Sequence, residues 1–207
     1  VPFPRPLGGR RIIKSVSAHG IPDDPQFATE SEREVWTRLK ADGASDWTLL
    51  ANVRLTDAKK DHELDVIVLM PDVGIVVVEV KGGDLRMEEG EWVVGHGKGR
   101  RVVHPVDQGR DGKYALRAYI EQDPRWKASS RTRVRFGHAI AAPYTDLADD
   151  FATPDCPRWM ISGRGDQPDL AGRLHDIASR QESGHRVPTH DDCALIVEIL
   201  KGRNLPQ

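Results

Sequence analysis

Two acidic residues and a lysine stand in neighbouring apolar runs, at spacings that can bring them together. Asp65 lies in the first run, residues 64–70, Glu79 lies in the second run, residues 74–80, and Lys81 follows it. The sequence Pro-Asp-Val-Gly separates the runs and predicts the turn of an antiparallel hairpin. With this turn at the tip, position i of the first strand faces position 144 − i of the second, so Asp65 faces Glu79. Cβ atoms of directly opposed residues lie about 4.5–5.5 Å apart, which places the two carboxylates side by side.

This pairing predicts a site for a divalent cation. Two adjacent carboxylates repel each other, and their burial among Val, Ile and Leu is unfavourable without a partner or an ion. The alternation of strand side chains puts Lys81 on the face of Glu79, and Glu63 on the face of Asp65. Carboxylate oxygens suit Mg²⁺ or Mn²⁺, whose remaining ligands are water and substrate phosphate. The alternative interpretation is a cross-strand salt bridge at a sheet edge, without an ion.

Glu32 is a candidate third acid. The sequence Thr-Glu-Ser-Glu at 29–32 fits a capping box, in which side chains cover free backbone donors at a helix start. Glu32 also precedes Val35 by three positions and Leu39 by seven, which places it on the core-facing side of the helix. Glu32 therefore either closes the capping box or joins the acidic cluster.

The elements that position these residues follow from apolar periodicity. Helices are predicted at 30–41, 112–120, 170–179 and 191–200, and strands at 47–55, 64–70, 74–80, 134–140 and 158–161, with a strand pair at 86–94 broken at Glu89-Gly90. Residues 1–27 contain five prolines and are predicted to be an N-terminal arm. Residues 28–207 are predicted to form a single domain. The order αβββαβ indicates an α/β sandwich with a central mixed sheet flanked by helices.

Composition narrows the class of protein. A chain of 207 residues with 38% hydrophobic and 30% charged residues can bury a core and fits one domain. No apolar run approaches the roughly 20 residues that cross a bilayer, and the first residues lack a secretory signal. Cys156 and Cys193 form no metal-type pair and indicate a reducing compartment. We therefore expect a cytoplasmic protein with no membrane partner.

Positive charge is concentrated after the acidic hairpin. Residues 98–135 carry eleven Lys or Arg against four Asp or Glu, although the whole chain has a formal net charge of −2. Such a block is typical of a face that binds a polyanion, because neutralised phosphates release counterions. The alternative is a solvated surface that is rich in arginine. Trp126, between Arg125 and Lys127, is the candidate for stacking on bases.

Three segments within residues 31–120 resemble the nuclease-related domain (NERD) family of the PD-(D/E)XK nuclease superfamily. They read SEREVWTRL, ELDVIVLMPDVGIVVVEVKG and HPVDQGRDGKYALRAYI. The metal site of that family consists of a helix glutamate, a strand aspartate and a Glu-x-Lys pair, which correspond here to Glu32, Asp65, Glu79 and Lys81. Gln108, shortly after Pro105, resembles the family's glutamine, and Ser31 stands where the family usually has glycine.

The resemblance implies a restriction-endonuclease-like three-layer sandwich. It also offers a misleading match, because Pro71-Asp72 followed by Glu79-Val80-Lys81 nearly spells the superfamily motif. Asp72 lies at the hairpin tip, about 23 Å from Glu79 along an extended strand. Asp65 is therefore the predicted metal ligand, and Asp72 is expected to serve the turn.

The implied activity is a Mg²⁺- or Mn²⁺-dependent nuclease that hydrolyses DNA in processing or repair, and an RNA substrate suits the same chemistry. Asp65 and Glu79, with the carbonyl of Val80, are expected to hold the ion, while Lys81 and Gln108 orient water or phosphate. The predicted nucleic-acid contacts are Arg100, Arg101, Arg110, Lys113 and Arg117. The alternative is a catalytically silent DNA-binding or targeting module beside a helicase partner or fused domain.

Overall fold

The computed structural model describes residues 17–56, 61–129 and 133–201. The strands within these ranges are β1 His19–Ile21, β2 Thr48–Thr56, β3 Asp61–Met70, β4 Gly74–Val80, β5 Leu85–Glu88, β6 Glu91–Val94, β7 Arg101–Val102, β8 Phe136–Ala141 and β9 Ile161–Ser162. The α-helices are α1 Glu30–Asp42, α2 Pro105–Gln122, α3 Pro124–Ala128, α4 Leu170–Arg180 and α5 His190–Leu200. No helix in this part of the chain is long and apolar enough to cross a membrane.

A mixed sheet of six strands forms the middle layer, in the order β1-β2-β3-β4-β8-β9. Strands β2, β3 and β4 are antiparallel neighbours, while β1, β8 and β9 join by parallel pairing. Helices α1 and α4 pack on one face, and α2, α3 and α5 pack on the other. The predicted fold class is confirmed, and the architecture is consistent with a restriction-endonuclease-like sandwich.

Strand β4 lies at the centre of the core, and all seven of its residues are buried. Val76 and Val78 belong to the core beneath α1 and α4, whereas Ile75 and Val77 belong to the core beneath α2 and α5. Such burial on both faces explains why the strand is nearly continuous in apolar residues. Glu79 is the exception, since it is charged and yet lies within this covered strand.

A smaller antiparallel sheet, β5-β6-β7, is inserted between β4 and α2. The predicted break of its first two strands at Glu89-Gly90 is confirmed. Leu85, Trp92 and Val94 pack with Val106 of α2 and with Ile140 of β8. The small sheet is therefore anchored to the main body by its own apolar cluster.

Two predicted segments need correction. The predicted arm at 1–27 is wrong for its last part, because His19–Ile21 pairs in parallel with β2 and so belongs to the main sheet; residues 1–16 lie outside the described residues. The predicted strand at 158–161 is mostly a 3₁₀ helix, Arg158–Met160, and only Ile161–Ser162 pairs with β8. Two paired residues at the sheet edge are too short a run to show alternation in the sequence.

Helix α2 starts earlier than predicted, at Pro105 rather than at residue 112. Proline suits the first helical position, where its missing N–H is not needed. Gly109 and Gly112 lower helix propensity and hide the first turns in the sequence. The structure gives a reason for Gly112, where a Cβ would lie 2.5 Å from Leu64 Cδ2, whereas a Cβ on Gly109 would make ordinary contacts, the nearest at 3.4 Å from His138 Cδ2. Gly112 lets α2 approach the sheet closely.

Candidate functional site

The predicted register of the acidic hairpin is confirmed. Val66 pairs with Val78 and Met70 with Gly74, so facing positions sum to 144. The tip residue, Asp72, is exposed and has a φ of 61°, which fits a turn residue. The regular ladder stops just before the two acids.

Asp65 lies where β3 and β4 separate. The β3–β4 pairing ends at Val66 and Val78, while β4 continues beside β8 as far as Val80. Asp65 Oδ2 accepts the backbone N–H of Val80 at 2.7 Å. The carboxylate thus satisfies a backbone donor that a continuing β3 would have paired, and this hydrogen bond fixes its orientation.

The pairing of β3 with β2, its neighbour on the other side, is also irregular at Asp65. Pairing of β2 with β3 is regular at Ala51 and at Val53 but skips the intervening Asn52, which lies opposite Asp65. Asn52 has a φ of 53°, in the left-handed region that asparagine tolerates better than most residues. Its side chain donates to the Gln26 carbonyl at 2.6 Å. The sheet is therefore distorted on both sides of the candidate ligand.

Glu79 is only 6% exposed and accepts a hydrogen bond from Lys81. Lys81 Nζ lies 2.5 Å from Glu79 Oε1, and the two residues project from the same face of one strand. The salt bridge considered from the sequence is therefore present, but it joins residues i and i+2 and does not cross to β3. Asp65 is left with the Val80 N–H as its hydrogen-bond donor.

Burial disfavours the charged forms of both acids. It raises the pKa of Asp65 to about 8, assisted by the negative charge of Glu79 and opposed by the Val80 N–H and Lys81. Burial also raises the pKa of Glu79, against the attraction of Lys81. A bound cation would favour ionisation of both groups.

Both acids line a cleft of about 640 Å³. Glu32 and Glu63 line it too, as do the cationic residues Lys81 and Arg101. Four carboxylates against two cations leave the cleft with an excess of negative formal charge. The cleft therefore favours a cation over a bare anion.

Glu32 both caps the helix and faces the cleft. Its Oε1 accepts from the Thr29 hydroxyl at 2.8 Å, and its Oε2 accepts from the Ala28 N–H at 3.2 Å. Thr29 in turn accepts the Glu32 N–H. Glu32 therefore accepts from the residue before the cap and not from the Thr29 N–H of a closed capping box, and it lines the cleft without forming a metal-type group of three acids within the described residues. Buried Ser31 touches the neighbouring loop, where a Cβ on Gly82 would lie 2.7 Å from its hydroxyl.

The first turns of α2 bring Gln108 to the cleft beside Lys81. Among the predicted nucleic-acid contacts, Arg101 lines the same cleft. Arg100 and Arg110 are exposed but paired, with Glu88 at 2.8 Å and with Asp107 at 2.5 Å. These three arginines are accessible from solvent on the side of the small sheet and of α2.

Lys113 and Arg117 are placed differently from the prediction. Lys113 is 5% exposed and contacts Glu182 at 3.3 Å, and Arg117 also donates to Glu182 while its guanidinium lies 4.9 Å from the Phe136 ring centroid. Neither lines the cleft. Glu182 lies 69 positions after Lys113, so the pairing cannot be predicted from residues that are close in the chain. Both cations hold α2 to the body of the protein.

Trp126, which is predicted to stack on bases, lies in the core instead. It is 3% exposed and packs in the core beneath α2 and α5. Its charged sequence neighbours suggested exposure, but a one-turn helix, α3, directs its ring inward. The structure leaves a different aromatic residue, Tyr114, exposed.

The donor set suits a hard divalent ion with few protein ligands. Within the described ranges, no three His, Cys, Asp or Glu residues form a group that could hold a metal. Of the four carboxylates in the cleft, Asp65 and Glu79 are the pair whose pKa values burial raises, and the Val80 N–H donates to Asp65. Mg²⁺ is commonly held by one or two carboxylates, with waters and substrate phosphate completing its shell.

Comparison with curated proteins and with solved structures finds no match. A family model described as "Nuclease-related domain" matches residues 28–138, which is more than half of the chain. The matched region runs from the start of the capping box through the acidic hairpin and α2 to His138 on β8. The protein therefore belongs to the nuclease-related domain (NERD) family.

Proposed function

We propose that this protein is a Mg²⁺- or Mn²⁺-dependent nuclease of the PD-(D/E)XK type, which hydrolyses phosphodiester bonds in DNA during processing or repair. The observation that carries the proposal is that Asp65 and Glu79, each one residue beyond the last β3–β4 pair, line one cleft with Lys81. The family of the chain supports it independently. An RNA substrate is compatible with the same chemistry.

Asp65, Glu79 and the carbonyl of Val80 are the groups that would hold the ion. Their raised acid pKa values and the excess of carboxylates in the cleft are the features that fit a cation there. When bound, such an ion lowers the pKa of a coordinated water and polarises a phosphodiester oxygen.

The remaining roles belong to the chain's own side chains. The Val80 N–H keeps the Asp65 carboxylate in one orientation, and Glu79 holds the Lys81 ammonium at the cleft. Lys81 can offset the negative charge that develops on the phosphate during attack. Gln108 offers an amide donor and acceptor for water or phosphate.

The nucleic-acid backbone would approach along the wall that carries Arg101. This arginine lines the cleft, and Arg100 lies beside it in the sequence. Contacts to phosphate position a nucleic acid without reading its sequence. We therefore propose that these arginines bind the DNA backbone without preference for particular bases.

A plasmid cleavage assay tests the proposal. Purified protein is incubated with supercoiled plasmid in Mg²⁺, Mn²⁺ or EDTA, alongside Asp65→Asn and Glu79→Gln. The matched control is Asp72→Asn, since Asp72 is an exposed acid on the same hairpin and Asn tolerates its positive φ. We expect metal-dependent cleavage by the wild type and by the control, with at least a hundredfold loss in the other two. Equal cleavage by all four proteins would contradict the proposed site.

A silent DNA-binding module is the second candidate, and one observation favours it. Lys81 already neutralises Glu79, and no third acid completes a metal group within the described residues. Such a module could target DNA for a helicase partner or a fused domain. Calorimetric titration with Mn²⁺ separates the two: a nuclease binds the ion through Asp65, whereas a silent module that binds DNA gives no heat of metal binding.

A further inference from the structure

A second groove, of about 670 Å³, adjoins the cleft. The two share Lys81, Arg101 and Gln108, so they form one continuous depression. Beyond the shared residues, the groove is lined by the end of the small sheet and by the outer side of α2. Its further lining residues are Val102, Val103, His104, Asp107 and Asp111.

The chemistry of this groove differs from that of a phosphate site. Asp107, which pairs with Arg110 at 2.5 Å, and Asp111 add carboxylates to a wall that also carries Lys81 and Arg101, and carboxylate oxygens can accept from base amino groups. Val102 is 39% exposed and offers an apolar surface, and His104 and Gln108 add polar groups. A nucleobase has apolar faces and an edge of donors and acceptors, and it fits this mixture better than a phosphate does.

Tyr114 extends the same face of α2. It follows Asp111 by three positions and Asp107 by seven, which are spacings of neighbours on a helix surface. Tyr114 is 51% exposed, even though Lys113 Nζ lies 4.3 Å from its ring centroid. Within the described residues, Val102 and Tyr114 are the large hydrophobic residues that remain exposed. Val102 lies in the groove, and Tyr114 lies on α2 three positions after Asp111, the last groove residue of that helix.

We propose that this groove binds unpaired bases of the nucleic acid whose phosphate enters the cleft, with one base against Val102 and another stacked on Tyr114. This inference rests on the proposed function and deepens it by naming the bound substrate element as unpaired nucleotides, which negatively supercoiled plasmid also exposes locally. Asp107 and Tyr114 are about 10 Å apart along the helix axis, or roughly three steps of 3.4 Å in a stacked strand. Bases within a duplex are paired and stacked, so they cannot enter such a groove.

Fluorescence anisotropy with labelled DNA tests the inference. The probes are a 12-nucleotide single strand of mixed sequence and the blunt duplex made from it, both in EDTA so that cleavage is prevented. The proteins are the wild type, Tyr114→Ala and Tyr114→Phe. We expect Tyr114→Ala to weaken single-strand binding about tenfold and duplex binding less than twofold, because stacking on an aromatic ring is lost. Tyr114→Phe keeps the ring and should bind like the wild type.

A second variant separates a loss of binding from an effect of the Tyr114→Ala substitution on folding. Val102→Asp adds negative charge inside the groove and should also weaken single-strand binding about tenfold, while thermal melts verify that each variant is folded. Unchanged single-strand affinity in Tyr114→Ala would overturn the inference, and so would equal losses on both probes. If plasmid is cleaved while Tyr114→Ala binds normally, the groove assignment fails and the nuclease stands. If binding depends on Tyr114 and no metal-dependent cleavage occurs, the nuclease fails and the groove stands.

Discussion

The carboxylate of Asp65 accepts the backbone N–H of Val80 at 2.7 Å, at the point where the β3–β4 ladder ends. A side chain of β3 thus pairs with the backbone of β4, and the acid is held beside Glu79. The arrangement orients a ligand, but it also places two carboxylates together in a buried position. The site should therefore lower the stability of the metal-free fold.

Asp65→Asn should stabilise the metal-free protein at alkaline pH. The folded-state pKa of Asp65 is raised to about 8 from its ordinary value of 3.8, so the folded state holds a proton that the unfolded state has released. Stability is therefore lost as pH rises through that interval. Asparagine keeps an acceptor for the Val80 N–H and carries no charge. We expect a gain on the order of 1 kcal/mol at pH 8, or about 2–4 °C in Tm.

Thermal melts in EDTA at pH 5 and pH 8 measure this effect. The increase in Tm caused by Asp65→Asn should be smaller at pH 5, where the wild-type carboxyl is protonated. The control Asp72→Asn should change Tm at neither pH. Addition of Mn²⁺ should raise the Tm of the wild type and leave Asp65→Asn unchanged. A lower Tm for Asp65→Asn at pH 8 would show that the carboxylate stabilises the metal-free fold.

His138 should make the fold sensitive to acid. It is buried on β8, neither ring nitrogen has a hydrogen-bond partner among the described residues, and burial, with nearby Lys113, lowers its pKa to about 4. The unfolded state takes up a proton near pH 6.5, while the folded state does so only near pH 4. Stability should thus fall as pH drops across this interval, by on the order of 1 kcal/mol from this group.

Urea unfolding at pH 7 and pH 5 checks the contribution of His138. In His138→Leu the loss between the two pH values should be smaller by about 1 kcal/mol, since the titrating group is gone. His175 is exposed, and His175→Leu is the control that should retain the wild-type loss. If both variants lose the same free energy of unfolding between pH 7 and pH 5, the loss comes from other titrating groups.

The hairpin could be predicted from the sequence because its signals are local. A turn sequence between two apolar runs fixes the register, and the register alone brings Asp65 opposite Glu79. The helix at Glu30–Asp42 follows likewise from a capping box and apolar periodicity. Such features depend on residues that are close in the chain.

The rest of the site depends on packing between distant segments. The sequence hides the start of α2 because Gly109 and Gly112 weaken helix propensity, although close packing against the sheet requires a small residue at Gly112. Lys113 was expected to bind phosphate, but Glu182, which neutralises it, is contributed by the segment after α4. Charge counted along the sequence does not reveal which cations have partners in the fold.

Arg101→Ala should weaken DNA binding uniformly across sequences. Arg101 lines the cleft, so its loss removes a phosphate contact and no base contact. We expect the slope of log K against log salt to fall by about one. The measurement is anisotropy with two unrelated duplexes between 50 and 200 mM salt, values chosen to span a range where phosphate contacts dominate. Arg164→Ala, at an exposed site away from the cleft, is the control. An unchanged slope would mean that the nucleic-acid backbone contacts another part of the protein surface.

Gly112→Ala should destabilise the protein even though alanine is the better helix former. In an exposed helix interior the exchange would add about 1 kcal/mol of stability. At Gly112, however, the new Cβ would lie 2.5 Å from Leu64 Cδ2 and 3.5 Å from Val77 Cγ1. Leu64 is 2% exposed and cannot turn toward solvent, so α2 must move away from the sheet. Overpacking of this kind costs about 1–3 kcal/mol, which outweighs the gain in propensity.

Gly165→Ala is the matched control, because a Cβ there meets nothing within 4 Å. Urea unfolding of both variants should show a loss for Gly112→Ala and a change within about 0.5 kcal/mol for Gly165→Ala. Helix α2 also carries Gln108 into the cleft, so displacement of the helix should reduce plasmid cleavage in proportion to the disturbance. If Gly112→Ala is more stable than the wild type, Leu64 relocates within the core and the close approach of α2 does not require glycine.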